Sequence, residues 1–192
     1  MIEATANILI GGKSQRFGSE KWKTKLGSHM ILDHIWNSCI NFKYQNLIGK
    51  KKPENIDKPF ILDQYNTQAP IIGLHSAINS SNTKWVLLLS CDLPLINKDC
   101  LKFIWDSKAK KIDAVVPITK TQAQPLCSLY NVNILNKLDS SIKNKKFSLK
   151  NFLKSINTQF IKMNKYEKLF FNMNTQKDLK KIKLIYRNKP SY

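Results

Sequence analysis

The sequence predicts a layered α/β domain with a largely parallel sheet, and three observations lead to this fold class. Short apolar runs alternate with segments of helical periodicity along the chain, which is the pattern of repeated β–α–β units. Residues 85–89 are five consecutive apolar residues between polar ends, as expected of a strand covered on both faces of a parallel sheet. A chain of 192 residues, 42% of them hydrophobic, can bury roughly 70% of its unfolded surface without a disulfide or metal staple.

Apolar runs bounded by turn residues predict the strands. They fall at residues 6–10, 46–48, 60–62, 84–90, 114–117, 126–130 and 159–163, with a last strand or turn at 170–174. Helical spacing predicts helices at residues 30–40, 71–79, 98–108, 133–138 and 149–156. The helix at 71–79 follows Pro70, which is favoured at a first helical turn. A final helix begins at Gln176, where Thr175 is the predicted N-cap.

The net charge predicts an anionic partner. The chain has 32 lysines and arginines against 13 aspartates and glutamates, giving +19, so nucleotides, nucleic acids and acidic proteins are candidates. The alternative is that lysine is abundant for compositional reasons alone. Arg16 and Arg187 are the only arginines. Nucleic acid is therefore disfavoured as a partner, because proteins that grip it usually use more of the planar guanidinium group.

Several classes of protein and site are excluded by simple patterns. No apolar run approaches the ~18 residues of a membrane span, and the first residues carry Glu3 without the basic segment of a signal peptide. The four cysteines show no C-x-x-C spacing, which disfavours structural zinc and leaves hard cations held by carboxylates and phosphates. We expect a cytoplasmic protein with one domain over residues 1–186 and a frayed tail at 187–192.

A glycine-punctuated segment, GGKSQRFGSEK at residues 11–21, follows the first predicted strand. Glycines let the backbone approach phosphates and form an anion-binding concavity, and Lys13, Arg16 and Lys21 add positive charge. The segment is not a P-loop, because Asn7 stands where that motif needs glycine, and it contains no G-x-G-x-x-G. It is predicted to be an anion-binding loop; a plain surface turn is the alternative.

Two carboxylates follow predicted strands, at the edge where ligands bind in open α/β sheets. Asp92 comes directly after the buried strand at 84–90 and before Leu93 and Pro94, a suitable place to hold Mg²⁺ on a nucleotide's phosphates. Its alternative role is to cap the turn. Asp63 follows the strand at 60–62 and could accept hydrogen bonds from a base or ribose, or be an ordinary surface residue.

Five segments together resemble the molybdenum cofactor guanylyltransferases, the MobA-like branch of the nucleotidyltransferases. The family's LAGG-x-S-x-RMG-x-DK stands here as LIGGKSQRFGSEK at residues 9–21, and its D-x(5)-GPLAGL as DQYNTQAPIIGL at 63–74. WVLVLACDMPFL corresponds to WVLLLSCDLPLI at 85–96, and PL-x-ALY to PLCSLY at 125–130. F-x-NINTPEDL corresponds to FFNMNTQKDL at 170–179. The five occur in family order over nearly the whole chain.

The resemblance implies a three-layer Rossmann-like nucleotide-diphospho-sugar transferase fold with a mostly parallel mixed sheet. It implies transfer of GMP from Mg·GTP to the terminal phosphate of Mo-molybdopterin, with release of pyrophosphate. The GTP-binding positions it implies are Leu9, Ile10, Gly11, Gly12, Lys21, Asp63 and Asp92. Arg16, Lys21 and Asp92 are the implied catalytic residues, with Asp92 as the Mg²⁺ ligand, and Asn172 and Asn174 are the implied molybdopterin contacts.

Departures from the family pattern leave base selectivity open. Glu20, Phe17 and Ala69 replace the family's Asp, Met and Gly, and the region that often offers Ser or Asn to the base reads GKK at residues 49–51. One alternative is a related enzyme that uses CTP, on molybdopterin or on a sugar phosphate, although the glycine pair at 11–12 favours guanine. The other is a catalytically degenerate basic binding protein with a lysine-rich C-terminal helix. Acceptor molybdoenzymes or their chaperones are further candidate partners, and no membrane is expected.

Overall fold

The computed structural model describes residues 1–11, 20–63, 65, 67 and 69–187. The strands are β1 (Ile2–Leu9), β2 (Lys25–Leu26), β3 (His29–Met30), β4 (Phe42–Gly49), β5 (Phe60–Leu62), β6 (Trp85–Ser90), β7 (Ala114–Ile118), β8 (Cys127–Asn131) and β9 (Thr158–Lys162). The α-helices are α1 (Ile31–Ser38), α2 (Pro70–Asn79), α3 (Lys98–Asp106), α4 (Leu135–Lys143), α5 (Leu149–Leu153) and α6 (Gln176–Arg187). Short 3₁₀ helices occupy Lys21–Lys23, Val132–Ile134 and Asn164–Phe170. None of the helices described is long and apolar enough to cross a membrane.

Seven strands form one sheet in the order β5-β4-β1-β6-β8-β7-β9. β5, β4, β1 and β6 run parallel, and β7 and β9 are also parallel to each other. β8 pairs antiparallel with both β6 and β7. The predicted mostly parallel mixed sheet is therefore confirmed.

Helices cover both faces of the sheet, so the predicted three layers are confirmed. Successive residues of β6 point to opposite faces: Leu87 and Leu89 join one apolar cluster, and Val86 and Leu88 join the other. The first cluster includes buried residues of α1, α3 and α6, and the second includes those of α2, α4 and α5. Because β6 is buried on both faces, its sequence is continuously apolar instead of alternating.

The predicted strands and helices are all present except at residues 170–174, with bounds that shift by a few residues. β4 begins at Phe42, four residues earlier than predicted, because exposed Lys43 and Tyr44 hide its start in the sequence. The hairpin formed by β2 and β3 was not predicted. The predicted domain over 1–186 and tail over 187–192 stay untested: α6 extends to Arg187, and residues 188–192 lie outside the described residues.

The expectation that residues 170–174 form a strand or turn needs correction. A 3₁₀ helix ends at Phe170, and an irregular segment then runs to Asn174 without pairing in the sheet. Phe170 and Met173 are both buried in the first apolar cluster, and the Met173 N–H donates to the Asp92 carbonyl at 2.8 Å. Two buried side chains and one backbone hydrogen bond to a loop thus hold the segment in place, without pairing to a strand.

The predicted N-cap of α6 is confirmed as a reciprocal capping box. The Asp178 N–H donates to Thr175 Oγ1 at 3.1 Å, and the Thr175 N–H donates to the Asp178 carboxylate at 2.8 Å. The same carboxylate accepts from the Thr175 hydroxyl at 2.8 Å and from the Asn174 N–H at 3.0 Å. These bonds, the one from the Thr175 side chain above all, hold the pKa of Asp178 below its ordinary value.

We expect Thr175→Ala to lower the free energy of unfolding by about 1 kcal/mol, as loss of an N-cap usually does.

Asp178→Asn should also destabilise the protein at pH 7. Because the pKa of Asp178 is depressed in the folded state, its contribution is present above the unfolded value of about 3.9 and is lost as pH falls through the folded value. Urea unfolding at a series of pH values checks this.

The control is Lys177→Ala, which changes an exposed residue in the same turn. A difference between wild type and Asp178→Asn that stays constant from pH 7 to the acid limit of folding would contradict the capping role of the ionised carboxylate.

Candidate active site

A cavity of about 360 Å³ opens at the carboxyl ends of the parallel strands, and we call it the strand-end pocket. Its walls come from the ends of β1, β4, β5 and β6 and from the start of α2. The lining residues are Leu9, Ile10, Gly11, Ile48, Gly49, Lys50, Asp63, Ala69, Pro70, Gly73, Ser90 and Leu126. The predicted edge of the sheet therefore carries a pocket, and four predicted nucleotide contacts, Leu9, Ile10, Gly11 and Asp63, line it together.

Two glycines shape this pocket. A Cβ on Gly49 would lie 2.6 Å from the Ile10 carbonyl oxygen, which is closer than real Cβ contacts allow. β4 and the end of β1 could not approach this closely with any other residue at position 49. Gly11 has φ of +151°, a conformation that residues with a side chain rarely adopt. Gly11 lines the pocket two residues after the end of β1.

The lining of the strand-end pocket is mostly apolar, apart from one ion pair. Lys50 Nζ lies 3.0 Å from Asp63 Oδ2, and the Asp63 side chain is only 11% exposed. The Asp63 N–H donates to the Gly49 carbonyl at 2.8 Å, extending the pairing of β4 with β5. The Tyr65 N–H donates to Asp63 Oδ1 at 3.2 Å, and Lys50 Nζ donates to the Tyr65 carbonyl. Asp63 is therefore a mostly buried pocket residue and not an exposed surface carboxylate.

A second cavity, of about 380 Å³, adjoins the first, and we call it the Asp92 pocket. Leu126 lines both cavities. The Asp92 pocket is lined by Asp92, Leu93, Thr121, Gln122, Ala123, Gln124, Pro125, Leu126, Lys150, Leu153 and Asn172. It brings Asp92 and Asn172 together although they are 80 residues apart in the sequence.

The Asp92 carboxylate is not used by the turn that contains it. Within the described ranges it makes no hydrogen bond or ion pair, whereas the Asp92 carbonyl accepts from Met173. The alternative role of Asp92 as a turn cap is thus unsupported by the hydrogen bonds of these residues. A half-buried carboxylate with free oxygens fits a hard divalent cation. The described residues hold no cluster of three or more potential metal ligands, so the site fits a cation whose other ligands are phosphate oxygens and water.

Lys21 and Asp92 act on the same part of the molecule. The pKa of the Cys91 thiol is raised to about 11, mainly by burial; the negative charge of Asp92 contributes to this rise, and the positive charge of Lys21 opposes it. Lys21 Nζ also donates to Asn174 Oδ1 at 2.9 Å. The side chain of Asn174 therefore holds the Lys21 ammonium. The sequence analysis assigned these two residues to different ligands, but in the structure they contact each other.

The two asparagines predicted to contact molybdopterin lie in different surroundings. Asn174 is exposed and contacts Lys21, whereas Asn172 lines the Asp92 pocket. Gly12, Lys13 and Arg16 lie outside the described residues, so their predicted contacts stay predictions. Sequence reasoning missed Lys50 as a pocket residue and as the partner of Asp63. Its place directly after a strand was an available signal for the pocket, whereas its pairing with Asp63 had no signal in the sequence.

The chain is similar in sequence to curated proteins. A probable molybdenum cofactor guanylyltransferase of Clostridium perfringens is 29% identical over 194 residues, with 91% of this chain and 93% of the relative covered. One from Aquifex aeolicus is 27% identical, with 93% of this chain and 89% of the relative covered. These relatives match along almost their whole length.

Solved structures show the same fold. The molybdopterin-guanine dinucleotide biosynthesis protein A of Archaeoglobus fulgidus superimposes with a TM-score of 0.83 at 21% identity, covering 96% of this chain and 100% of its own. A 2-C-methyl-D-erythritol 4-phosphate cytidylyltransferase of Thermus thermophilus superimposes with a TM-score of 0.70 at 11% identity, covering 95% and 98%. The sequence model of the MobA-like NTP transferase domain matches residues 6–159, and the chain therefore belongs to this family of nucleotidyltransferases.

Proposed function

We propose that this protein transfers GMP from Mg·GTP to the terminal phosphate of Mo-molybdopterin, releasing pyrophosphate and forming the guanine dinucleotide form of the cofactor. The observation that carries the proposal is the pair of adjoining cavities, which share Leu126 and of which the second is lined by Asp92, a carboxylate without a hydrogen bond to the described residues. Two adjoining cavities, each lined by at least one charged side chain, suit a reaction between two bound phosphate esters. The names of the curated relatives support the identity of the substrates.

The strand-end pocket is the proposed site of the nucleoside. Its apolar walls can cover the faces of a base, while the backbone of Leu9, Ile10 and Gly11 and the side chain of Asp63 border it. Gly12 and Arg16 belong to the segment proposed to wrap the phosphates. Lys21 is proposed to bind the triphosphate and the departing pyrophosphate, because its ammonium is held beside the Asp92 loop by Asn174.

Asp92 is the proposed ligand of Mg²⁺, the divalent metal that we expect this nucleotidyltransferase to use. When bound, the ion neutralises charge on the phosphates and helps to align them. The contribution of the chain is to present, in the lining of the Asp92 pocket, a carboxylate that makes no hydrogen bond to the described residues. The Met173 N–H fixes the backbone of Asp92 from the other side of this loop.

The proposed reaction needs little acid–base chemistry from the protein. A terminal oxygen of the acceptor phosphate, mostly ionised at pH 7, forms a bond to the α-phosphorus of GTP. The bond from that phosphorus to the bridging oxygen breaks, and pyrophosphate leaves with the electron pair. Catalysis then comes from alignment and from neutralisation of charge, with Lys21 on the nucleotide side.

The Asp92 pocket is the proposed site of the acceptor. Asn172, Gln122 and Thr121 offer hydrogen-bonding groups, and Lys150 supplies a positive charge to the lining. A phosphate ester of a polar heterocycle, such as molybdopterin, suits this combination. Asn174 is proposed to act through Lys21, on the nucleotide side, because its side-chain oxygen accepts from that ammonium.

A related activity with CTP is the second candidate, since a cytidylyltransferase shares this fold. The excess of positive charge favours any of these anionic substrates by raising their encounter rate. It also suits an acidic acceptor molybdoenzyme or chaperone. We place the reaction in the cytoplasm, a proposal that four buried free thiols support.

Calorimetric titration with GTP, CTP and ATP, each with and without Mg²⁺, tests the proposal. Mg²⁺-dependent binding that prefers GTP by tenfold or more, about 1.4 kcal/mol, is the expected result, and turnover with molybdopterin is assayed next. Preference for CTP would assign the protein to the cytidylyltransferases. Absence of nucleotide binding would favour a charge-driven binding protein.

We expect Asp92→Asn to abolish Mg²⁺-dependent turnover and leave the thermal unfolding temperature close to that of the wild type, because the carboxylate makes no bond to the described residues. The measurement is the rate of pyrophosphate release across a range of Mg²⁺ concentrations. Asp99→Asn, at an exposed aspartate in the first turn of α3, is the control. Wild-type turnover of Asp92→Asn at saturating Mg²⁺ would show that the carboxylate does not hold the metal.

Lys21→Ala should reduce kcat/KM by a factor that corresponds to about 2–4 kcal/mol, the usual effect of removing one preorganised donor. Lys23→Ala, which removes an exposed lysine of the same 3₁₀ turn paired with Glu20, is the matched control. Asn174→Ala should have a smaller effect, because it loosens the ammonium without removing it. A loss below tenfold for Lys21→Ala would contradict its role at the phosphates.

A further inference from the structure

The ammonium of Lys50 is fixed at the wall of the strand-end pocket by two acceptors. It lies 3.0 Å from Asp63 Oδ2 and donates to the carbonyl of Tyr65. An ammonium has three N–H donors, so the two partners found among the described residues account for two of them. The Lys50 side chain is 33% exposed, and Lys50 lines the cavity. Among the described residues that line this pocket, Lys50 is thus the one charged donor, and its position is set by the protein's own acceptors.

Asp63 is less suited than Lys50 to contact a ligand. Both of its carboxylate oxygens already accept, Oδ2 from Lys50 and Oδ1 from the Tyr65 N–H. Its side chain is 11% exposed, a third of the value for its partner. Its main effect is thus to hold the lysine, and Asp63 is a positioning residue for Lys50.

The rest of the pocket lining offers few competing polar side chains. Ile10, Ile48, Pro70 and Leu126 are apolar, and of the lining residues only Ser90 adds a hydroxyl group. A base held between these walls presents its polar edge toward a small number of groups. The remaining donor of Lys50 must then meet an acceptor, because an ammonium facing another donor leaves both unpaired and desolvated.

We propose that Lys50 recognises the keto oxygen of the base, which makes the pocket selective for keto over amino bases. Guanine and hypoxanthine carry an acceptor, O6, where adenine carries an amino group, and cytosine likewise carries an amino group at N4. A fixed donor thus favours GTP over both ATP and CTP. This inference rests on the proposed function, since it assumes that the strand-end pocket takes the base of a nucleotide.

The test compares Mg²⁺-dependent binding of four triphosphates by calorimetry: GTP, ITP, ATP and 2,6-diaminopurine riboside triphosphate. ITP keeps O6 without the 2-amino group, and the diaminopurine nucleotide keeps the 2-amino group but replaces O6 by an amino group. Wild-type protein should bind GTP and ITP within a few-fold of each other. It should bind ATP and the diaminopurine nucleotide at least tenfold more weakly.

Lys50→Met removes the donor and keeps the length of the side chain. It should lower the preference for GTP over the diaminopurine nucleotide by about tenfold or more, the usual range for a hydrogen bond to a charged group. Lys50→Arg should retain most of the preference, and Asp63→Asn should lose part of it because the lysine is held less firmly. Lys51→Ala is the matched control, since its neighbouring side chain is 85% exposed and pairs with Glu54.

Folding of each variant is checked by thermal unfolding, and Asp63→Asn serves as the second route if Lys50→Met is unstable. Equal weakening of all four nucleotides by Lys50→Met would overturn the inference and leave the proposed function standing, because Lys50 would then contact the ribose or phosphates. Weak binding of ITP by the wild type would overturn it as well, by assigning recognition to the 2-amino group. If no nucleotide binds to the wild type, the proposed function fails first.

Discussion

The parallel pairing of β1 with β4 on one side and β6 on the other is the constraint on which the candidate site depends. Leu9 stands opposite Ile48 in one neighbour and Ser90 in the other. The three strands consequently end side by side, and the Ile10 and Cys91 N–H groups continue the pairing beyond them. This register gathers the segments that follow each strand at one edge, where the strand-end pocket and Asp92 lie. The absence of a side chain at Gly49 allows the closeness of this packing.

At this edge of the sheet, two lysine ammonium groups are each held by a hydrogen-bond acceptor, and each lies near one carboxylate. Asp63 holds Lys50 in the strand-end pocket. Asn174 holds Lys21 close to Cys91 and Asp92. These acceptors keep each ammonium in place, and the chain as a whole still carries a net charge of +19. Anionic substrates are drawn toward such a surface, and the fixed donors then meet them with little loss of side-chain freedom.

The sequence was sufficient to predict the core of the fold and the positions of the carboxylates. Buried strands require continuous apolar runs, so β6 and the place of Asp92 after it could be recognised directly. The Lys50–Asp63 pair could not be recognised, because it depends on the register of β4 with β5, which places Gly49 opposite Leu62. No local pattern specifies that register. The contact of Lys21 with Asn174 spans 153 residues and likewise follows from the assembled sheet alone.

The sequence analysis also failed where the backbone is irregular, and the reason is physical. The segment at 170–174 satisfies its backbone through a loop, with the Met173 N–H on the Asp92 carbonyl, and through the capping box at Asn174 and Asp178. Such bonds use side chains and loop carbonyls as partners, so they leave no periodic signal in the sequence. They also connect the start of α6 to the loop that contains Asp92. Asp178 accepts from the Asn174 N–H, the Asn174 side chain accepts from the Lys21 ammonium, and the Met173 N–H donates to the Asp92 carbonyl. The start of the C-terminal helix thus helps to hold both Lys21, the proposed phosphate ligand, and the backbone of Asp92, the proposed Mg²⁺ ligand.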